Sequence, residues 1–184
     1  PDRSLFLKAE CLQPLGSFKI RAAANAIATA RPDELANGVI TASAGNFGQG
    51  IAQAAIARGL PVRVFVPDSS AKVKVDALHD MGATVDIVTF EEWWQIIMTR
   101  QTSAKGFFIH PVAELAVVMG NGSIGLEIAD QVPDVDTVVV PVGGGGLISG
   151  IALALKAAGR NVRVVACEIE SATPLLAAKQ AGHS

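Results

Sequence analysis

The stretch Val138-Val139-Val140-Pro141-Val142-Gly143-Gly144-Gly145-Gly146-Leu147 decides how this chain is read. Three consecutive valines suit a strand buried on both faces, and Leu147 to Ala158 has the apolar spacing of a helix. Four glycines join them. Glycine lets successive backbone N–H groups turn inward, and a helix start adds positive partial charge, so a phosphate is the natural guest. A plain tight turn explains the run less well, because it does not require the unfolded-state entropy that consecutive glycines carry.

Outward from this point the same strand, turn and helix succession recurs. Leu5 to Glu10 alternates like a short strand, and Gly16-Ser17 leads into an Ala-rich helix predicted over Phe18 to Ala30, ended by Arg31-Pro32. Gly38 to Ala42 predicts a strand, Ser43 to Gln49 a polar turn, and Gly50 to Arg58 a helix. Further strands are expected at Leu60 to Val66, Ala83 to Val88 and Gly106 to Ile109, separated by helices at Ser69 to Met81 and Phe90 to Ala104. Gly122 to Gln131 reads as a helix, Asp136 to Pro141 and Val162 to Cys167 as strands, and Thr173 to Ala181 as the last helix. This alternation argues for an α/β fold with parallel sheets. A domain change is expected near Ile109 to Glu114, where Pro111 follows a short strand.

Bulk properties narrow the function classes. The chain is 50% hydrophobic, and its 15 basic and 17 acidic residues give a net charge of -2 without blocks of either sign. No nucleic-acid or anionic-membrane patch is visible. Cys11 and Cys167 stand far apart in apolar sequence, which argues against a disulfide framework and for a reducing, cytoplasmic setting. Pro1 to Ser4 has neither the layout of a signal peptide nor an initiator Met, so a clipped chain is expected. Thr137 to Leu155 is uncharged and long enough to span a bilayer, but Pro141 and the glycine run interrupt it.

Three other features carry chemistry. Pro14-Leu15-Gly16-Ser17-Phe18-Lys19-Ile20-Arg21 delivers one lysine to the start of a helix. Burial there disfavours the ammonium form and leaves a neutral amine able to form a Schiff base, although taken alone a solvated lysine is the simpler reading. Ser43-Ala44-Gly45-Asn46 occupies a second strand-to-helix turn, where N–H groups suit a carboxylate and Asn46 offers a directed amide; plain N-capping is the competing reading. Glu168 ends the strand after the glycine run, about where a ribose-binding acid stands in dinucleotide folds. The G-x-G-x-x-G fingerprint fails, because Gly143 and Gly145 are followed by Ile148, and a nucleotide site stays open on these grounds. His79, His110 and His183 lack metal-ligand spacing and suit surface or loop positions. Glu91, Glu92, Trp93 and Trp94 read as a helix start with packing aromatics.

Taken in order, Lys8-x-Glu10, Pro14-x-Gly16-Ser17-Phe18-Lys19-x-Arg21, Ser43 to Asn46, Gly120-Asn121-Gly122-Ser123-Ile124 with Glu127, and Gly143 to Gly146 resemble the fold-type II pyridoxal-phosphate enzymes. Among these they look most like the serine/threonine dehydratase (threonine ammonia-lyase) family. The resemblance implies two open, twisted, mostly parallel sheets with flanking helices, a small domain at 40–113, and a large cofactor-binding domain to which 1–39 and 114–184 belong. It further implies that Lys19 carries pyridoxal 5′-phosphate and is the catalytic residue. Phe18 would pack beside the cofactor, Gly143, Gly144, Gly145, Gly146 and Leu147 would hold its phosphate, and Asn46 its ring hydroxyl. Ser43, Ala44, Gly45 and Asn46 would bind the substrate carboxylate.

The implied reaction is loss of water from L-threonine or L-serine to give a 2-oxo acid and ammonia. Racemisation or β-replacement by the same fold, and a non-catalytic nucleotide- or ligand-binding protein, are the alternatives. Three departures stand out. Phe47 replaces the usual His after the motif Asn, Ala22 replaces a common Gly, and Thr173-Pro174 supplies no second acid to join Glu168, so a metal site is expected to be weak or missing. Members of the family are longer at both ends, so the chain reads as a piece that leaves its cofactor partly uncovered and is not expected to be fully active by itself. The expected partners are a small amino-acid substrate and further copies of the chain, with no nucleic acid and no membrane.

Overall fold

The computed structural model describes residues 4–182; the predicted roles of His183 and of the first three residues lie outside them. Helix α1 (Lys19–Thr29) precedes strand β1 (Val39–Ala42), and α2 (Asn46–Ile56) leads to β2 (Val62–Pro67). Then follow α3 (Lys72–Asp80), β3 (Thr84–Val88), α4 (Phe90–Thr99) and β4 (Phe107–Phe108). The long α5 (Leu115–Gln131) connects to β5 (Thr137–Pro141), α6 (Gly146–Ala157), β6 (Arg163–Cys167) and α7 (Pro174–Ala181). One sheet runs β3-β2-β1-β4 and a second pairs β5 with β6, and every pairing within them is parallel. The α/β fold with parallel sheets and flanking helices is therefore as expected. Among the described residues no helix is long and apolar enough to cross a membrane.

All four residues of β1 are buried, as befits a central parallel strand covered on both faces. Val39 joins Ala23 and Ile27 of α1 and Ile51 of α2 on one side, and Ile40 and Ala42 meet Ile96 and Ile97 of α4 on the other. In the second sheet Val138, Val140 and Val164 pack against Ile124 and Ile128 of α5 and Ile151 and Leu155 of α6.

Helix α5 is the element both halves share, and it packs against α1 and α6. It begins at Leu115, well before the predicted Gly122. In the fold the glycines of α5 let neighbouring backbones approach: a Cβ on Gly120 would lie 2.5 Å from the Arg21 carbonyl, one on Gly122 3.1 Å from that of Gly150, and one on Gly125 2.7 Å from that of Ile151. Similarly α2 starts at Asn46 and takes in Phe47 to Gln49, which the polar run suggested were turn. Helix α4 stops at Thr99, short of the predicted Ala104, because Arg100 turns left-handed at φ 60°.

The strand predicted at Leu5 to Glu10 is not formed. Leu5, Phe6 and Leu7 are 88%, 65% and 87% exposed, so alternation there had no buried face to report. Charge places this segment instead. Arg21 Nε and Nη2 donate to Glu10 at 2.7 and 2.9 Å, while Nη1 and Nη2 donate to Glu127 of α5 at 2.6 and 2.8 Å. Lys8 also pairs with Glu127 and donates to Gln131 Oε1 at 2.9 Å. The planar guanidinium suits two carboxylates at once, and the network ties the segment before Lys19 to α1 and α5. Hydrogen bonds from Arg21, and next from Lys8, hold the Glu127 carboxyl well below its ordinary 4.5, at about 2.

Two measurements check these contacts. Gly125→Ala should lower the urea-unfolding free energy by about 1–3 kcal/mol, since the added methyl meets an Ile151 carbonyl with no room to retreat. Because folding depresses the Glu127 carboxyl, its contribution is present above pH 4.5 and lost as pH falls through about 2. The melting temperature of Glu127→Gln should thus fall short of the parent's by most above pH 4.5 and converge with it toward pH 2.

Candidate active site

The starts of α1 and α6 face one cavity of about 320 Å³. Phe18, Lys19, Pro111, Val112, Asn121, Pro141, Val142 and the run Gly143 to Leu147 line it. Residues more than a hundred positions apart thus meet because α5 lies against both helices.

Lys19 begins α1, directly after a chain reversal in which Leu15 and Gly16 both take positive φ. Its backbone N–H donates to the Ser17 hydroxyl at 3.3 Å, and Ser17 is itself buried. Burial pushes the Lys19 amine below its ordinary 10.5. The Nζ lies 4.9 Å from the Phe18 ring centroid and 5.9 Å from that of Phe47. The cause of the downward direction is burial, which removes water from the ammonium form. Among the described residues no carboxylate pairs with this lysine. It is the opposite of the exposed, solvated lysine that its local sequence alone would suggest.

Across the cavity, Gly145 is the left-handed N-cap of α6 at φ 80°. The N–H groups of Gly143 to Leu147 find no acceptor among the described residues, leaving a helix start that is electropositive and unpaired. A Cβ on Gly143 or Gly145 would project into open space, and one on Gly144 would come within 2.9 Å of Val112 Cγ2. The four glycines therefore leave room above the turn while Val112 closes one side of it. An anion with a small apolar body fits these walls: unpaired amides at one end, an amine of lowered basicity at the other and an aromatic ring beside it. Pyridoxal phosphate has that chemistry.

Of the residues singled out from sequence, Phe18, Lys19 and Gly143 to Leu147 share the cavity. Ser43, Ala44, Gly45 and Asn46 do not line it. They form the start of α2, where Ser43 Oγ accepts from the Gly45 N–H at 3.3 Å and Asn46 is exposed; Phe47, next in the chain, brings its ring to 5.9 Å from Lys19 Nζ. Glu168 is occupied elsewhere, its carboxylate accepting from Leu175 and Leu176 N–H at 2.7 and 3.1 Å at the start of α7. Among the described residues no three His, Cys, Asp or Glu side chains converge as a metal site would require. Cys11 and Cys167 are free and exposed, contrary to their apolar sequence surroundings, and His79 is exposed.

Asn121 escaped assignment. It is 1% exposed, lines the cavity, and its Oδ1 has no hydrogen-bond partner among the described residues. A buried amide left unpaired is costly, so it marks a place where a guest completes the bonding. The available signal was a polar residue lodged between Gly120 and Gly122 on the packed face of α5.

Comparison with known proteins agrees with this geometry. The sequence matches the family described as "Pyridoxal-phosphate dependent enzyme" over residues 1–184. It is 40% identical over 182 residues to an L-threonine ammonia-lyase from Thermotoga maritima, covering 98% of this chain and 45% of that protein. It is 37% identical over 182 residues to a serine racemase from Oryza sativa subsp. indica, covering 98% and 54% respectively. The processed form of threonine deaminase isoform 2 from Solanum lycopersicum superposes with a TM-score of 0.87 at 34% identity, over 96% of this chain and 49% of that one. The chain thus spans about half the length of the curated relatives it matches. With Lys19 and an unpaired glycine turn in one cavity, and with the family matched from end to end, the chain belongs to the fold-type II pyridoxal-phosphate-dependent enzymes.

Proposed function

We propose that this chain carries the lysine and phosphate-binding parts of an ammonia-lyase that removes water from L-threonine or L-serine, giving a 2-oxo acid and ammonia. The observation that carries the proposal is the meeting of a desolvated, unpaired lysine with free glycine-turn amides in one cavity. Similarity to an L-threonine ammonia-lyase and to a threonine deaminase structure supports the choice of reaction. When bound, the cofactor ring supplies an electron sink for the negative charge left on the substrate α-carbon.

The protein's own groups do the rest. The N–H groups of Gly143 to Gly146 and of Leu147 would hold the phosphate, and Phe18 would pack beside the ring. Lys19 would anchor the cofactor, and its amine, made less basic by burial, would be the group that takes the substrate α-proton. The start of α2, Ser43 to Asn46, lies outside the cavity lining but next to Phe47, whose ring is 5.9 Å from Lys19 Nζ; to it we assign the substrate carboxylate, and to the Asn46 amide the ring hydroxyl. The division into a small domain at 40–113 and a large one holding 1–39 and 114–184, a cytoplasmic setting and self-association belong to the same proposal.

Racemisation is the second reading, favoured by serine racemases of similar identity, among them one from Homo sapiens at 40%. Product analysis on the full-length protein separates the two. Incubation with L-serine or L-threonine should release a 2-oxo acid and ammonia in equal amounts; D-serine as the main product would favour the racemase. Lys19→Ala should abolish the visible absorbance of lysine-bound cofactor and reduce turnover by at least about a thousandfold, the scale on which a nucleophile or base is lost. Retention of that absorbance by the variant would rule out Lys19 as the anchor.

A further inference from the structure

His110 follows β4 and opens the loop that supplies Pro111 and Val112 to the cavity wall. Its Nδ1 accepts two backbone N–H groups, from Val112 at 3.1 Å and Ala113 at 2.9 Å. A nitrogen that accepts carries no proton, so the ring is the neutral tautomer protonated at Nε2. The imidazole therefore fastens a turn in the way an Asx side chain does.

The loop it holds bears directly on the phosphate turn. Val112 Cγ2 sits where a Cβ on Gly144 would come within 2.9 Å, and the Val112 carbonyl lies 3.8 Å from the corresponding position at Gly146. The charged groups facing the ring are Arg100, which caps α4, and Glu114, which precedes α5. They pair with each other at 2.6 Å, and Arg100 Nη2 also donates to the Ala113 carbonyl at 3.3 Å. Burial, and after it Arg100, pushes the His110 imidazole below its ordinary 6.5 against an opposing pull from Glu114. The neutral ring thus contributes fully above pH 6.5, and that contribution is lost as pH falls through the depressed folded value.

We propose that His110 is a positioning residue for the anion site: neutral, it fastens the turn that sets Val112 against Gly144, and protonated it releases that wall and weakens cofactor binding. Protonation at Nδ1 turns the shared acceptor into a donor facing two other donors, and both amides lose their partner at once. The inference rests on the pyridoxal-phosphate reading only for the guest; the state of the wall can be read without one.

The test uses the parent protein, His110→Asn and His110→Leu, titrated with pyridoxal phosphate from about pH 8 down to the lowest pH at which circular dichroism shows all three folded, since the His110 imidazole is depressed below its ordinary range. Hydrogen exchange of the Val112 and Ala113 amides is followed in parallel without cofactor. Asn places an amide oxygen where Nδ1 stood and does not titrate. At the upper pH His110→Asn should bind within about threefold of the parent and His110→Leu about tenfold more weakly, the loss expected for unpaired amides. Toward the lower pH the parent should lose about tenfold more affinity than His110→Asn, with protection of the two amides falling in the parent alone. Equal pH dependence in parent and His110→Asn, or unchanged affinity and protection in His110→Leu, would overturn the proposal. Amide protection that follows pH as stated, with no cofactor bound at any pH, would support the wall mechanism and overturn the cofactor reading.

Discussion

The close approach of α5 to its two neighbours is the constraint on which the site depends. Gly122 and Gly125 let α6 lie against α5, and Gly120 lets α1 do the same, with Arg21 and Ala22 among the nearest atoms. Larger side chains at these positions would hold the helices apart, and the first residues of α1 and α6 would no longer share a cavity. Packing at backbone distance therefore converts two unremarkable helix starts into opposite walls of one pocket. The Glu10–Arg21–Glu127 network stands on the same helix pair and fixes the segment leading into Lys19.

Electrostatics within that pocket are asymmetric in a useful way. The glycine turn presents amides with no acceptor among the described residues, a standing demand for negative charge that four small residues leave uncovered. Lys19 is pushed toward its neutral form by burial, and among the described residues no carboxylate pairs with it to restore its charge. Pairing the lysine with an acid would have favoured the ammonium form, which is not a nucleophile.

Much of this was legible in the sequence, and the parts that were not share a cause. Strand–turn–helix units, the glycine run and the lysine-bearing turn are local patterns, and most elements formed within a few residues of expectation. Local sequence starts α5 at Gly122, because glycine weakens helices in isolation, whereas Gly120 and Gly122 lie inside the helix and serve its close contact with α1 and α6. Leu5 to Glu10 has the alternation of a strand but no buried face for it to mark, Leu5, Phe6 and Leu7 all being exposed. Asn121 had only its place between two glycines as a signal, and Val112 and His110 had no local signature, since each matters through a partner distant in sequence or through the backbone of its own loop. The turn from Ser43 to Asn46 was recognisable as a helix start, yet its separation from the cavity lining could be seen only in three dimensions.

The account stands on Lys19 and the glycine turn serving one ligand. The most direct check is to add pyridoxal phosphate, reduce with borohydride, digest, and locate the stable adduct by mass spectrometry. The adduct should fall on Lys19 alone, with free inorganic phosphate slowing its formation by competing for the turn. An adduct spread over exposed lysines such as Lys72, or one on Lys19 that phosphate leaves unaffected, would contradict a shared site.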